Sequence, residues 1–196
     1  MFETTLALIL FLLPLAWSPG PGNLFFAAYG ARFGLAATLP ANAGYHLATW
    51  IVTLGLGLGF AEVSARAPGL FAVMRWAGAA YVLWLAWGLW QADAARGPAA
   101  RRAGAAGGAL LLLLNPKAYL IILLMFSQFI EPDRGAPGVL WIATVFTLNN
   151  LCAFLVWTLV GARIGARLRQ GPAAGAVNRG LALLLAGVAL WMAVAR

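Results

Sequence analysis

Six stretches of this 196-residue chain are long, apolar and almost free of charge: Leu6–Tyr29, Leu35–Phe60, Pro68–Gln91, Ala106–Ile130, Val139–Gly161 and Gly180–Ala195. An α-helix needs about 20 predominantly apolar residues to cross the hydrocarbon core of a bilayer. The first two runs and the fifth hold no formal charge, and the sixth is the shortest. Runs of this length predict helices, since the strands of a membrane barrel would show an alternating pattern that is absent. Short connections between runs make consecutive helices antiparallel neighbours.

Composition supports the same reading. The chain has 13 basic and 5 acidic residues, 9 % charged against 63 % hydrophobic, whereas a domain bathed in water carries about 25 % charged residues. The net charge of +8 would suit a nucleic acid if the basic residues formed a stripe. They sit instead in the short connections between apolar runs, the placement of the positive-inside rule, so the expected partner is a lipid bilayer and not a nucleic acid. The nine Trp suit membrane-interface anchoring and helix packing. The single cysteine, Cys152, permits neither a disulfide nor a thiolate metal site within one chain and reads as a small buried hydrophobe. Near the N-terminus Glu3 is the only charge and the apolar run continues to Tyr29, which predicts a retained first helix and not a cleaved signal peptide.

Orientation follows from the basic residues of the connections. The first, third and fifth connections hold Arg32; Arg96, Arg101 and Arg102; and Arg163, Arg167, Arg169 and Arg179. The other side holds Arg66, Arg134, Arg196 and, just inside a helix, Arg75. The excess places the odd-numbered connections in the cytoplasm and both termini in the periplasm. The two halves resemble each other in their helix breakers: Trp17-Ser18-Pro19-Gly20-Pro21-Gly22-Asn23 interrupts the first run and Leu114-Asn115-Pro116-Lys117 the fourth, about half a chain later. Three spans per half is an odd number, so a duplicated half enters the membrane with opposite topology. The expected organisation is a first repeat over 1–92, a cytoplasmic connection over 93–105 and a second repeat over 106–196. Broken helices at matching positions of inverted repeats point to a transporter's midplane site.

The breakers share a physical logic. Ser18 and Asn115 are good N-cap residues, and proline is favoured at the position that follows, where no intrahelical N–H bond is lost. Each pair is expected to start a half-helix inside the membrane, presenting unpaired N–H groups and a positive dipole end to an anionic group; two simple proline kinks are the plainer alternative. Lys117 is the only basic residue well inside a span, where an ionisable group is by default functional. Other polar residues at depth are Asn42, His46, Thr49 and Thr53 in the second run and Thr144, Thr147, Asn149 and Asn150 in the fifth. Interhelical hydrogen bonding is their plainer role, although His46 is suited to carry a proton near neutral pH. No Asp or Glu lies mid-span; Glu62, Asp93, Glu131 and Asp133 flank the runs. A dibasic substrate would want a buried carboxylate, so the fixed positive features suit a carboxylate-bearing or neutral solute.

These residues resemble the LysE/RhtB family of amino-acid exporters over nearly the whole chain. The markers are Ser18-Pro19-Gly20-Pro21, Gly30-Ala31-Arg32-Phe33-Gly34, Gly44, the stretch Trp76-Ala77-Gly78-Ala79-Ala80-Tyr81-Val82-Leu83-Trp84-Leu85-Ala86-Trp87, Asn115-Pro116-Lys117 and Gln128-Phe129. The helix-three stretch and Leu181-Ala182-Leu183-Leu184-Leu185 are similar to the cysteine and O-acetylserine exporter branch. The resemblance implies secondary export of amino acids from the bacterial cytoplasm. The chain has Gly22-Asn23 after Pro21, where many relatives carry an acidic residue or a second Asn, which leaves Asn23 as the nearer polar candidate.

The combined expectation is an all-α integral membrane protein of six transmembrane helices, two inverted three-helix repeats with broken helices one and four, in the bacterial inner membrane. It exports a small neutral amino acid or related metabolite of the cysteine, O-acetylserine, homoserine or threonine type by alternating access. Ser18, Gly20, Gly22, Asn23, Asn115, Lys117 and Asn149 are the candidate substrate contacts; Pro19, Pro21 and Pro116 shape the breaks as hinges; His46 is the candidate proton carrier. No cofactor or metal is expected, and exposed Gly and Ala offer either a homodimer interface or packing within the chain. An enzyme is disfavoured by the absence of HExxH, GxSxG and any carboxylate cluster at depth. A non-transporting assembly subunit and an exporter of an inorganic ion are the remaining alternatives, the latter disfavoured by the scarcity of His, Cys and buried carboxylates.

Overall fold

The computed structural model describes residues 2–59, 73, 76–77, 79–87, 90, 103–130, 135–168 and 174–194. The regular elements among them are all α-helices: α1 (Phe2–Trp17), α2 (Pro21–Phe33), α3 (Leu35–Leu58), α4 (residues 79–87), α5 (Ala105–Leu113), α6 (Pro116–Phe129), α7 (Gly135–Leu168) and α8 (Ala174–Val194). Much of the third run and most of the 93–105 connection lie outside the described residues. So do Glu62, Asp93, Glu131, Asp133, Arg66, Arg75, Arg96, Arg101, Arg102, Arg134, Arg169 and Arg196.

The first and fourth runs are each broken where the prolines predict. Between α1 and α2 the axis bends by 63°, and between α5 and α6 by the same 63°. Helix α7, at 34 residues, outruns the expected Val139–Gly161 at both ends, and α8 begins before Gly180. By length and composition α7 passes as a membrane span on its own, and each bent pair passes if counted as one span. Helix α3 has 24 residues, about 36 Å, long enough to span. Its mean hydropathy is diluted by polar residues whose placement is informative.

Helix α3 is inside out relative to a helix in water. Thr38, Asn42, His46, Thr49 and Thr53, spaced three or four residues apart, are buried, while Leu39, Leu47, Ile51 and Leu58 on the opposite face are exposed. Helix α7 repeats the pattern, burying Asn150 and Thr158 and exposing Leu148, Val156, Val160 and Ile164. Polar side chains turned inward and leucines turned outward give a low free energy only where the surroundings are apolar, as lipid is. Cys152 lies on the outward stripe of α7 and is exposed, which corrects its reading as a buried residue. Its spacing of four from Leu148 and Val156 puts it among the outward-facing residues.

Packing follows the logic of membrane helices, in which small residues let backbones approach. A Cβ on Gly44 would collide with the Ala105 carbonyl and one on Gly108 with the Ala41 carbonyl, so α3 and α5 touch backbone to backbone. Helices α2 and α7 do the same: Gly161 and Gly165 receive the Ala27 and Ala31 carbonyls, and Gly30 receives that of Thr158. These glycines pack helices within the chain. Side chains close the opposite end, where Leu8, Leu12, Ile122, Met125, Phe126, Val139, Ile142 and Phe146 form one cluster. A second cluster, including Phe25, Phe26, Tyr45 and Phe154, lies on the glycine-packed side.

Candidate functional site

A break in a membrane helix leaves carbonyls without intrahelical partners, and each costs about 1–3 kcal/mol if buried unpaired. At the end of α1 five consecutive residues have theirs satisfied by side chains. The Ser18 hydroxyl donates to Leu15 O (3.2 Å), Asn23 Nδ2 to Ala16 O (3.0 Å) and the Trp157 indole to Trp17 O (3.1 Å). Lys117 Nζ donates to Ser18 O (2.8 Å), Ser18 Oγ (3.0 Å) and Pro19 O (3.3 Å). The lysine stands in the first turn of α6, yet its ammonium reaches across to the carbonyl-rich, negative end of α1. Gly20 makes this approach possible, because a Cβ there would lie 2.7 Å from Lys117 Cδ and 2.9 Å from Nζ.

The two breaks are built differently. At the second, Asn115 is the N-cap expected of it: its side-chain oxygen accepts from Lys117 N at 3.2 Å, and Pro116 follows in the first turn. At the first, the N-cap reading of Ser18 is corrected. Helix α2 starts at Pro21 with Gly20 as its cap and no side-chain capping bond. Ser18 turns back to close α1 instead, because Gly20 and Pro21 delay the restart and leave the serine hydroxyl nearer the carbonyls behind it than the N–H groups ahead.

Between the breaks lies a cavity of about 10 Å³ lined by Asn23, Tyr45, Asn115, Lys117 and Asn150 with Leu15, Ala16, Ala118, Ile121, Phe146 and Phe154, room for about one water. It sits between the two hydrophobic clusters. Asn115 Nδ2 donates to the Tyr45 hydroxyl at 2.8 Å, joining α3 to the second break. Gly22 is filled by its neighbours: a Cβ would meet the Phe154 ring at 2.8 Å and Tyr45 Oη at 3.2 Å.

His46 is buried one turn along α3 from Asn42, with Nδ1 2.8 Å from the Asn42 carbonyl and Nε2 3.4 Å from Asn150 Nδ2. Phe154 meets its ring edge to face at 5.1 Å, and Asn42 Nδ2 reaches the Thr158 hydroxyl at 3.4 Å. A polar track thus runs from Thr158 through Asn42, His46 and Asn150 to the cavity. Asn149 lies off it: its oxygen accepts from the Trp17 indole at 3.3 Å and it does not line the cavity. The structure therefore brings Asn23, Asn115 and Lys117 to one cavity, with Ser18 and Gly20 against the Lys117 side chain, and adds Tyr45 and Asn150, which were not singled out as contacts. Among the described residues no three of His, Cys, Asp and Glu come together.

The model of the LysE type translocator family matches residues 13–196. An uncharacterized membrane protein of Pseudomonas aeruginosa is 32 % identical, covering 90 % of this chain and 88 % of its own. A homoserine/homoserine lactone efflux protein of Salmonella typhimurium is 27 % identical, covering 100 % of this chain and 98 % of its own. A cysteine/O-acetylserine efflux protein of Klebsiella pneumoniae is 29 % identical over 79 % of this chain and 80 % of its own. No solved structure matches.

Proposed function

The chain belongs to the LysE translocator family, whose members are transporters and not enzymes, and we propose that it exports a small neutral amino acid through the junction of its two broken helices. One observation carries the reading: both breaks converge on one small cavity that Asn23, Asn115 and Asn150 help to line, and they are joined there by Lys117. A zwitterion needs a cation or N–H donors for its carboxylate and an acceptor for its ammonium. Lys117 and the uncapped first turn of α2 at Gly22 and Asn23 supply the former. Asn23 and Asn115 supply side-chain amides, and Ser18, Gly20 and Asn149 shape the first break around them.

The shared 63° bend of the two pairs supports an inverted repeat of three spans each, 1–92 and 106–196, joined by a cytoplasmic connection. Pro19, Pro21 and Pro116 act as hinges of alternating access in the inner membrane, with both termini periplasmic. All three Lys117 bonds go to the first break, so a substrate carboxylate competes with it for the ammonium. A bound carboxylate takes over part of that bonding, frees the Ser18 and Pro19 carbonyls, and lets α1 and α6 move apart. His46, on the polar track to the cavity, carries the coupling proton.

Purified protein in liposomes tests this reading by counterflow of labelled cysteine, O-acetylserine, homoserine, threonine, leucine and lysine. Saturable exchange of at least one neutral amino acid, with lysine poor, is expected; no exchange of any of them would refute amino-acid export.

A further inference from the structure

We propose that Asn150 is the ligand of the substrate's α-ammonium group and that the His46 imidazole decides which end of its amide faces the cavity. This rests on the amino-acid reading of the same cavity. The Asn42 carbonyl, 2.8 Å from His46 Nδ1, can only accept, so Nδ1 carries a proton. In the neutral ring Nε2 is then a lone pair. Its partner at 3.4 Å must be the donor end of the Asn150 amide, which leaves the amide oxygen for the cavity that Asn150 lines. That oxygen is the acceptor an α-ammonium requires.

Protonating His46 reverses the arrangement. Both ring nitrogens become donors, Nδ1–H stays on Asn42, and Nε2–H needs an acceptor. Asn150 supplies it by turning its amide over, which presents NH₂ to the cavity in place of the oxygen. The ammonium loses its ligand and faces an added positive charge. Of the titratable groups near His46, Tyr45 on its own helix has its ring centroid 5.2 Å away and Lys117 of α6 lines the cavity. Helix α7 brings Asn150 and Phe154 against the ring, and the α1 and α2 residues lining the cavity, Leu15, Ala16 and Asn23, carry no charge. A substrate ammonium and a proton on His46 therefore exclude each other. A carrier that holds one or the other exchanges substrate leaving for a proton entering.

The test uses liposomes holding the parent, Asn150→Asp or Asn150→Leu, and counterflow of labelled homoserine or leucine. Competitors are the same amino acid and its deaminated analogue, γ-hydroxybutyrate or isocaproate. Measurements run from about pH 8 to about pH 3.5, reaching below the ordinary histidine range to where a buried imidazole takes up its proton, and each competitor's effect is expressed per ionised carboxylate. The parent should prefer the amino acid by about tenfold or more at the alkaline end, the worth of one charge-assisted hydrogen bond, and lose that preference at the acid end. Asn150→Asp, an acceptor in either orientation, should keep the preference at both ends. Asn150→Leu should lack it at both, and if that variant fails to insert, the parent and Asp profiles decide. A parent preference unchanged with pH, or a pH-dependent one in Asn150→Asp, would overturn the assignment of Asn150 while leaving amino-acid export standing. A parent that exchanges neither amino acid would overturn both.

Discussion

Lys117 links two elements that a helix break would otherwise leave apart. Its bonds to the Ser18 and Pro19 carbonyls and the Ser18 hydroxyl satisfy acceptors at the end of α1, where a buried one left unpaired costs about 1–3 kcal/mol. Lys117→Met keeps the stem and loses the bonds, so it should lower the thermal unfolding midpoint in detergent as well as abolish counterflow. Lys117→Arg should rescue neither fully, since the Lys117 side chain already fills the space a Gly20 Cβ would need and a planar guanidinium is larger. Gly20→Ala should push the ammonium off the α1 carbonyls and reproduce a milder form of the Met phenotype. A Met variant as stable and active as the parent would show that the strap is dispensable. The sequence made Lys117 conspicuous through depth and charge, but not its partners. Those depend on the 63° bend, which brings a residue 99 positions away in the chain within 2.8 Å.

At the scale of elements, the breaks were legible and their details were not. Proline after Asn announced α6 to the residue, because N-capping is decided by neighbours in sequence. Proline after Ser gave the same signal at Ser18 and misplaced the start of α2, because a second proline and the Gly20 cap compete there. Asn149 and Asn150 differ by about 100° around α7, and only helix phase separates them. The buried stripe through Phe146, Asn150, Phe154, Thr158, Gly161 and Gly165 keeps three- and four-residue spacing, and Asn149 falls off it. The small-residue contacts supply a test that separates packing from helix propensity. Gly55→Ala faces open space and should stabilise α3 by about 0.5–1 kcal/mol. Gly44→Ala and Gly108→Ala, on the same chemistry, should destabilise the protein, because each new methyl would meet a backbone carbonyl of the partner helix. Thermal unfolding of the three variants side by side checks both signs. Equal effects would mean that the α3–α5 contact is looser than the structure shows.

For the whole molecule, membrane residence was legible at once, since run length and charge placement are properties of the chain as a string. Orientation rests on the arginine excess. Single cysteines in the Arg96–Arg102 connection and at the Arg163–Arg167 end of α7, in a Cys152→Ser background, should resist impermeant thiol reagents added to intact cells. Labelling from outside would reverse the topology. The absence of mid-span carboxylates predicts that lysine or arginine is exchanged far more slowly than a neutral amino acid of similar bulk, and efficient lysine exchange would show that the site's electrostatics are misjudged. Export by this route requires substrate at the junction of the two broken helices. Ala118 lines that cavity and is otherwise enclosed, so the most direct measurement is the rate at which a small methanethiosulfonate modifies Ala118→Cys in the Cys152→Ser background, with and without a transported amino acid, in a preparation shown to transport. Modification should be slow, slowed further by the transported amino acid, by about tenfold at saturation, and unchanged by a non-transported one. Modification at the same rate with and without the transported amino acid would place the substrate elsewhere than at the junction of the broken helices.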